Sequence, residues 1–316
     1  MTPRNELHRH GKGAWVAALL ALTALTGCLG VAEAPPAAGA PPAPAATLDP
    51  RTTEWAEKAL AQDRLGDARK LVERVLAVEP ENARARLVAA ELQLAQGQAE
   101  AAAEAFEALS GDADMGARAL QGQGIALIRT GDTQRAQGIL KQAVEREPGL
   151  WRAWNALGYL LDVQNDGTGA ERAYGKALAV NERNAVLYNN RGFSRLMQRK
   201  ADAAVEDFRR ALQIDPQQEL AKANLRLALA WQGHYAHAAA GTSGADTGRT
   251  LNNVGYVALM RGDLDTAERY LARALTADAG YNTAAARNLA YLKTLRDFGD
   301  TENAALATSG KKGETR

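Results

Sequence analysis

"WRAWNALGYLLDVQNDGTGAERAYGKALAVNERN", residues 151–184, decides the fold of this chain. It carries Trp154-x2-Leu157-Gly158-x2-Leu161 and then Ala170-x3-Tyr174-x2-Ala177. Shifting by the length of this stretch in either direction meets the same residue types again. Ala68, Ala102, Ala136, Ala170, Ala204 and Ala238 form one column without a miss. Gly124, Gly158 and Gly192 form a second, and Val72, Phe106, Leu140, Tyr174 and Phe208 a third. Pro80, Pro148 and Pro216 are spaced by twice the same step. A fixed period of this length is the mark of stacked helical hairpins.

Each column has a physical task. Small residues at the eighth and twentieth positions let two helices approach closely, and the bulky column fills the space between that pair and the next. A proline cannot continue a helix, so it ends the second helix before the next unit starts. One hairpin alone cannot bury its apolar face; a stack can.

The neighbouring units repeat the pattern. The third has Leu120, Gly124, Leu127, Ala136-x3-Leu140-x2-Ala143 and Pro148. The fifth has Tyr188, Gly192, Ala204-x3-Phe208-x2-Ala211 and Pro216. This pattern resembles the tetratricopeptide repeat, and the resemblance runs over about 49–296. It implies an all-α solenoid of helical hairpins in a right-handed superhelix, about seven units and a capping helix, serving as a protein-interaction scaffold and not as an enzyme.

Units start near 49, 83, 117, 151, 185 and 219, and then the register slips. Leu251, Gly255, Gly262, Ala267, Leu271 and Ala274 set the next start near 248, five positions early. The sixth unit keeps a first helix over Glu219–Gln232 and a short second one near His234–Ala240, and "GTSGADTG" (241–248) reads as a loop that breaks the array. Gly66-Asp67 sits late in the first unit's turn, which blurs the helix boundaries there. Residues 282–296 read as the capping helix, and the polar stretch 297–316 as a disordered tail. The array therefore occupies 51–296.

Residues 1–27 read as a targeting segment. Arg4, Arg9 and Lys12 precede an apolar run from Ala14 to Leu25, shorter than the ~20 residues a membrane span takes. Leu25-Thr26-Gly27-Cys28 resembles the lipobox of bacterial lipoproteins. That resemblance implies lipid on Cys28, the one cysteine of the chain, cleavage before it, and acylation of the new amino terminus. One acyl chain binds a membrane marginally and several bind stably. Leu29, where a retention Asp would stand, points to the outer membrane, facing the periplasm of a Gram-negative cell. An uncleaved anchor, or an ordinary signal peptide with a free thiol left over, are the other readings. Residues 28–50, with six of the ten prolines, form a disordered tether.

Composition excludes several function classes. A formal net charge of +1 gives no attraction for nucleic acid. One cysteine permits neither an internal disulfide framework nor a cysteine zinc cage. His234 and His237 have a spacing that metal sites use, but no third ligand stands near them, so they read as surface residues, and no cofactor is expected beyond the lipid. Gly122-Gln123-Gly124 has no strand before it and reads as helix packing. A small-ligand pocket lined by Trp231, His234, Tyr235 and His237 beside the shortened unit is the rival from another class.

A binding surface remains. In the tetratricopeptide family positions two, five, six, nine, twelve and thirteen of each unit face the groove. Position nine here is Glu57 and Glu91, then Ile125, Tyr159, Phe193, Leu227 and Tyr256. An apolar stripe in a groove reads as a partner site. Asn155, Asn189, Asn190, Asn224, Asn252 and Asn253 run beside it, and an asparagine ladder has the donors and acceptors to hold an extended backbone. The opposing reading packs position nine between helices. The whole layout, with the closing unit "LNNVGYVALMRGDLDTAERYLARAL" (251–275), resembles the TadD lipoproteins of Flp-type (tight adherence) pilus assembly. That implies an outer-membrane factor assisting a secretin. A general envelope scaffold, similar to NlpI or the BAM lipoproteins and recruiting peptidoglycan or outer-membrane assembly proteins, is the alternative.

Overall fold

A computed structural model describes residues 48–243, 246–277 and 282–310, with side chains described at 48–243, 246–277 and 283–298. Cys28, the targeting segment and the tether up to residue 47 lie outside the described residues, as do 311–316. Everything described is helix or turn: α1 Thr52–Ala61, α2 Leu65–Val78, α3 Ala83–Ala95, α4 Ala99–Glu107, α5 Gly116–Thr130, α6 Thr133–Arg146, α7 Trp151–Val163, α8 Gly167–Val180, α9 Ala185–Met197, α10 Ala201–Ile214, α11 Glu219–Trp231, α12 Tyr235–Ala239, α13 Asp246–Arg261, α14 Leu264–Ala277 and α15 Asn282–Gly310. The first helices begin at or close to the starts that the period marks.

The chain divides into two compact units, 1–98 and 99–316. In the first, Ala56, Ala59, Ala68, Val72, Val88 and Leu92 of α1, α2 and α3 form the core. In the second, successive hairpins pair tightly and each first helix lies beside the next. The whole alanine column is fully buried. An added Cβ at Gly124 would come within 2.4 Å of Leu140, at Gly158 within 2.7 Å of Tyr174, at Gly192 within 2.8 Å of Phe208, and at Gly255 within 2.7 Å of Leu271. Every one of these pairs has the same separation along the chain, so the glycine column and the bulky column are two sides of one contact. Gly122 likewise faces the Phe106 ring, which makes Gly122-Gln123-Gly124 a packing surface.

The turn between the helices of each hairpin carries a further periodic signal. Asp63, Gly97, Gly131, Asn165, Arg199, Gly233 and Gly262 all have left-handed φ, between 57° and 89°. They recur at the repeat period until the last step, from Gly233 to Gly262, which is shorter by five positions. Asn82, Asp132, Asp166 and Asn184 cap the helices that follow them by accepting backbone N–H bonds.

Three boundaries differ from the sequence expectation. Asp49, placed in the tether, opens α1: it accepts the Arg51 N–H at 2.8 Å, and its carbonyl accepts the Thr52 hydroxyl. The break after the sixth unit is shorter than 241–248, because Asp246 already starts α13. The last helix does not stop at 296; α15 continues to Gly310, through a stretch whose polar sequence reads as disordered. "TENAALATSG" (301–310) contains alanines and no proline, so local propensity prolongs a helix already nucleated by packing.

Candidate functional site

The candidate surface is the face of α5, α7, α9, α11 and α13 that carries positions two, six, nine and thirteen, which fall on one side of a helix. Position nine is neither free nor fully buried: Ile125, Tyr159, Phe193, Leu227 and Tyr256 are all half-buried. Ile125 and Tyr159 pack against the core around Leu140 and Leu157, and Phe193 and Leu227 against the core around Phe208. Burial pushes the Tyr159 and Tyr256 phenols up from their ordinary range. These side chains form the floor of the surface.

Its exposed apolar groups stand on either side of that floor. At position thirteen Val163 and Met197 are 38% and 39% exposed, and at position two Val186 and Leu220 are 49% and 40% exposed. The sequence carries a signal for them, apolar residues at positions the repeat turns outward, but it is fainter than the stripe at position nine.

The asparagines are placed otherwise than an open ladder requires. Asn189, Asn224 and Asn252 are buried, and Asn155, Asn190 and Asn253 half-buried. Four of them bond to one another: Asn224 Nδ2 donates to Asn189 Oδ1 at 2.9 Å, Asn189 Nδ2 to Asn190 Oδ1 at 3.3 Å, and Asn190 Nδ2 to Asn155 Oδ1 at 2.9 Å. Asn288 Nδ2 donates to Asn252 Oδ1 at 3.0 Å in the same manner. The ladder thus ties first helix to first helix, and most of its amides are already occupied.

Two polar clusters brace the same helices. Asp162 accepts the Ser194 hydroxyl at 2.6 Å and the Tyr174 hydroxyl at 3.0 Å, joining α7, α8 and α9. Burial raises its carboxyl to about 6 against the pull of those two bonds. Asp207, with its side chain 4% exposed, takes both nitrogens of the Arg191 fork at 2.7 and 2.9 Å, and Arg195 joins it to Glu171. These groups hold helices together; nothing in their arrangement forms a nucleophile–base pair aimed at open space.

The pocket expected beside the shortened unit divides. Trp231 and His234 line an open cleft of about 510 Å³ with Arg199, Lys200, Asp202 and Gln232. Tyr235 instead packs into the core against α13 and α14, its hydroxyl bonded to Asp263 and receiving a bond from Arg261 at 2.9 Å. His234 and His237 stand edge to face with ring centroids 6.2 Å apart.

Two tetratricopeptide repeat models match the sequence, one over residues 59–123 and one over 122–185 and 160–219, together spanning just over half of the chain. No curated protein matches. Among solved structures the chain is similar to a thermophilic tetratricopeptide protein of Thermus thermophilus at 19% identity and a TM-score of 0.50, covering 57% of this chain and 97% of that one. It is also similar to a chain of the APC/C hetero-tetramer Cut9–Hcn1 at 16% identity and a TM-score of 0.51, covering 76% of this chain and 49% of that one. These likenesses concern the fold. With the buried alanine column, the glycine–bulk pairs and the matched repeats, the chain belongs to the tetratricopeptide repeat family, whose members are in general non-catalytic scaffolds for protein–protein interaction.

Proposed function

We propose that this protein is a lipid-anchored envelope scaffold that holds a segment of a partner protein across α7, α9 and α11. The observation that carries the binding reading is the set Val163, Val186, Met197 and Leu220, four exposed apolar side chains beside a half-buried aromatic floor. Exposed apolar groups gathered on one face favour association, since their burial against a partner is worth roughly 25 cal/mol per Å². The anchor reading rests on Leu25-Thr26-Gly27-Cys28 after a basic start and an apolar run, followed by the proline-rich tether. In this reading Cys28 carries lipid, the chain sits on the periplasmic face of the outer membrane, and its partner is a secretin or another component of Flp-type pilus assembly.

The test is affinity purification of the tagged chain from gently solubilised envelopes, beside a V186D/M197D/L220D version. The expected result is capture of secretin and pilus-assembly components by the parent and their loss from the variant, with helicity unchanged by circular dichroism. Peptidoglycan hydrolases or outer-membrane assembly proteins in their place would overturn the pilus role and leave a general scaffold. Equal capture by both versions would overturn the groove. Mass spectrometry of the amino-terminal peptide reads the lipid on Cys28 directly.

A further inference from the structure

The turn between α9 and α10 carries a charge that the fold does not spend. Arg199 is exposed, and its side chain makes no hydrogen bond, ion pair or ring contact among the described residues. Its backbone holds a left-handed φ of 63°, where the corresponding turns of this unit have Gly131, Asn165, Gly233 and Gly262. A long side chain in that region is an outlier, and no contact within the repeat rewards it. Arg199 borders the open cleft of about 510 Å³, across which stand Trp231, Gln232 and His234 from the end of α11 and the turn after it. Lys200 and Asp202 are the other charged groups of its lining.

What each of these groups has left for a ligand can be read from its partners. Lys200 Nζ is already paired with Glu171 at 2.9 Å. Asp202 accepts Gln232 Nε2 at 2.7 Å on one oxygen, and its other oxygen bonds to nothing among the described residues. Gln232 therefore keeps its side-chain carbonyl as an acceptor. His234 is exposed and makes no capping bond to α12. Trp231 is half-buried: it packs on the cores around Phe208 and Val257, and its carbonyl accepts from Arg261, which is itself engaged with Tyr235 and Asp263. The cleft thus combines a fixed indole, one free guanidinium and two open oxygen acceptors.

We propose that this cleft binds an acidic sugar: the apolar face of a pyranose ring lies on Trp231, its carboxylate meets Arg199, and its hydroxyls donate to Asp202 and Gln232. The volume falls among small-ligand clefts, which run from about 300 to 1,000 Å³. The charges select within that class. A polyphosphate would meet the carboxylate of Asp202, and a neutral sugar would leave Arg199 unused, whereas one carboxylate among hydroxyls uses both. A guanidinium matches a carboxylate with two parallel N–H donors, and an indole offers a broad flat surface at little entropic cost. The site shares no residue with the groove set Val163, Val186, Met197 and Leu220, so it is a second binding function of the array.

Arg199→Gly tests this, because it removes the guanidinium and relaxes the turn together. It should melt no lower than the parent, so a loss of binding is not a loss of fold. Trigalacturonate, its full methyl ester and adenosine monophosphate are titrated by calorimetry into the purified full chain and into R199G, D202N and W231F, with tryptophan emission recorded alongside. The expected result is saturable binding of trigalacturonate to the parent with a change in emission that W231F loses. R199G should bind it about tenfold more weakly, and D202N more weakly as well. The methyl ester should bind the parent about as weakly as trigalacturonate binds R199G. Equal affinity of the parent and R199G, or of the acid and its ester, would overturn the role of Arg199 and with it the site. Tighter binding of adenosine monophosphate than of trigalacturonate would overturn the sugar as ligand, and no saturable binding of either would overturn the proposal outright.

Discussion

Gly192→Ala should destabilise this protein, whereas Gly175→Ala should stabilise it. Both glycines lie inside helices, α9 and α8, where alanine is worth about 1 kcal/mol over glycine by propensity. The difference is space. A Cβ at Gly192 would stand 2.8 Å from Phe208 Cε1, 3.0 Å from its Cδ1 and 3.1 Å from Asp207 Cβ, and Phe208 is fully buried. A closed ring in a packed core has no free end to swing aside, so the helices must part, which costs about 1–3 kcal/mol. Nothing lies within 4 Å of a Cβ at Gly175. The two substitutions should therefore differ by about 1–3 kcal/mol, and at about 2–4 °C per kcal/mol for a chain of this size the melting temperatures should separate by several degrees. The first unit shows the remedy: there the corresponding pair is Ala56 with Val72, both buried in one cluster. In a double-mutant cycle G192A should cost less in an F208V background than alone. Thermal and urea unfolding followed by circular dichroism reads the parent, G175A and the three variants of the cycle. If G192A melts at or above G175A, or F208V brings no relief, steric contact between the two columns is not what the glycine serves.

Two further outcomes follow from other sites. Arg199 holds a left-handed φ of 63° where three other turns of the second unit have glycine, so Arg199→Gly should raise the unfolding free energy by up to about 1 kcal/mol, while Gly131→Ala, at φ 89°, should lower it by about 1–2 kcal/mol; equilibrium urea unfolding measures both. The Asp162 carboxyl titrates at about 6, above its unfolded value near 4, so the folded state binds this proton more tightly. Its contribution to stability is then fully present below about pH 4 and lost as pH rises through about 6. D162N should flatten the stability profile between about pH 4 and 7, and an unchanged slope would show that another group is responsible.

Much of the fold could be read from the residues because its contacts recur at fixed offsets. Gly192 meets Phe208 and Gly158 meets Tyr174 at one and the same offset, so the packing leaves a periodic trace in the chain. Even the slip in register reappears in the structure, as the shorter step from Gly233 to Gly262. The site was less legible. Asn190 and Asn224 share the sixth position with half-buried Asn253, and only the neighbour across the interface decides whether an amide is spent internally or left over. Phe193 and Leu227 read as groove residues and also as core, and in the structure they are half-buried against the core around Phe208. The helix beyond 296 escaped because its polar sequence has no apolar period, and helix propensity carries no partner pattern.

The short α12 has a consequence for how this array changes length. The residues missing from the sixth repeat came out of its second helix and the loop behind it, while α11, the turn at Gly233 and the start of α13 kept their geometry. In a stack where each hairpin touches only its neighbours, such a loss is absorbed where it occurs and is not passed along. The first helices α7, α9 and α13 have less freedom, because each carries an asparagine rung to the next. Insertion and deletion in this protein are therefore lopsided: the second helices form the elastic edge along which the chain can be edited, and the first helices its ruled one.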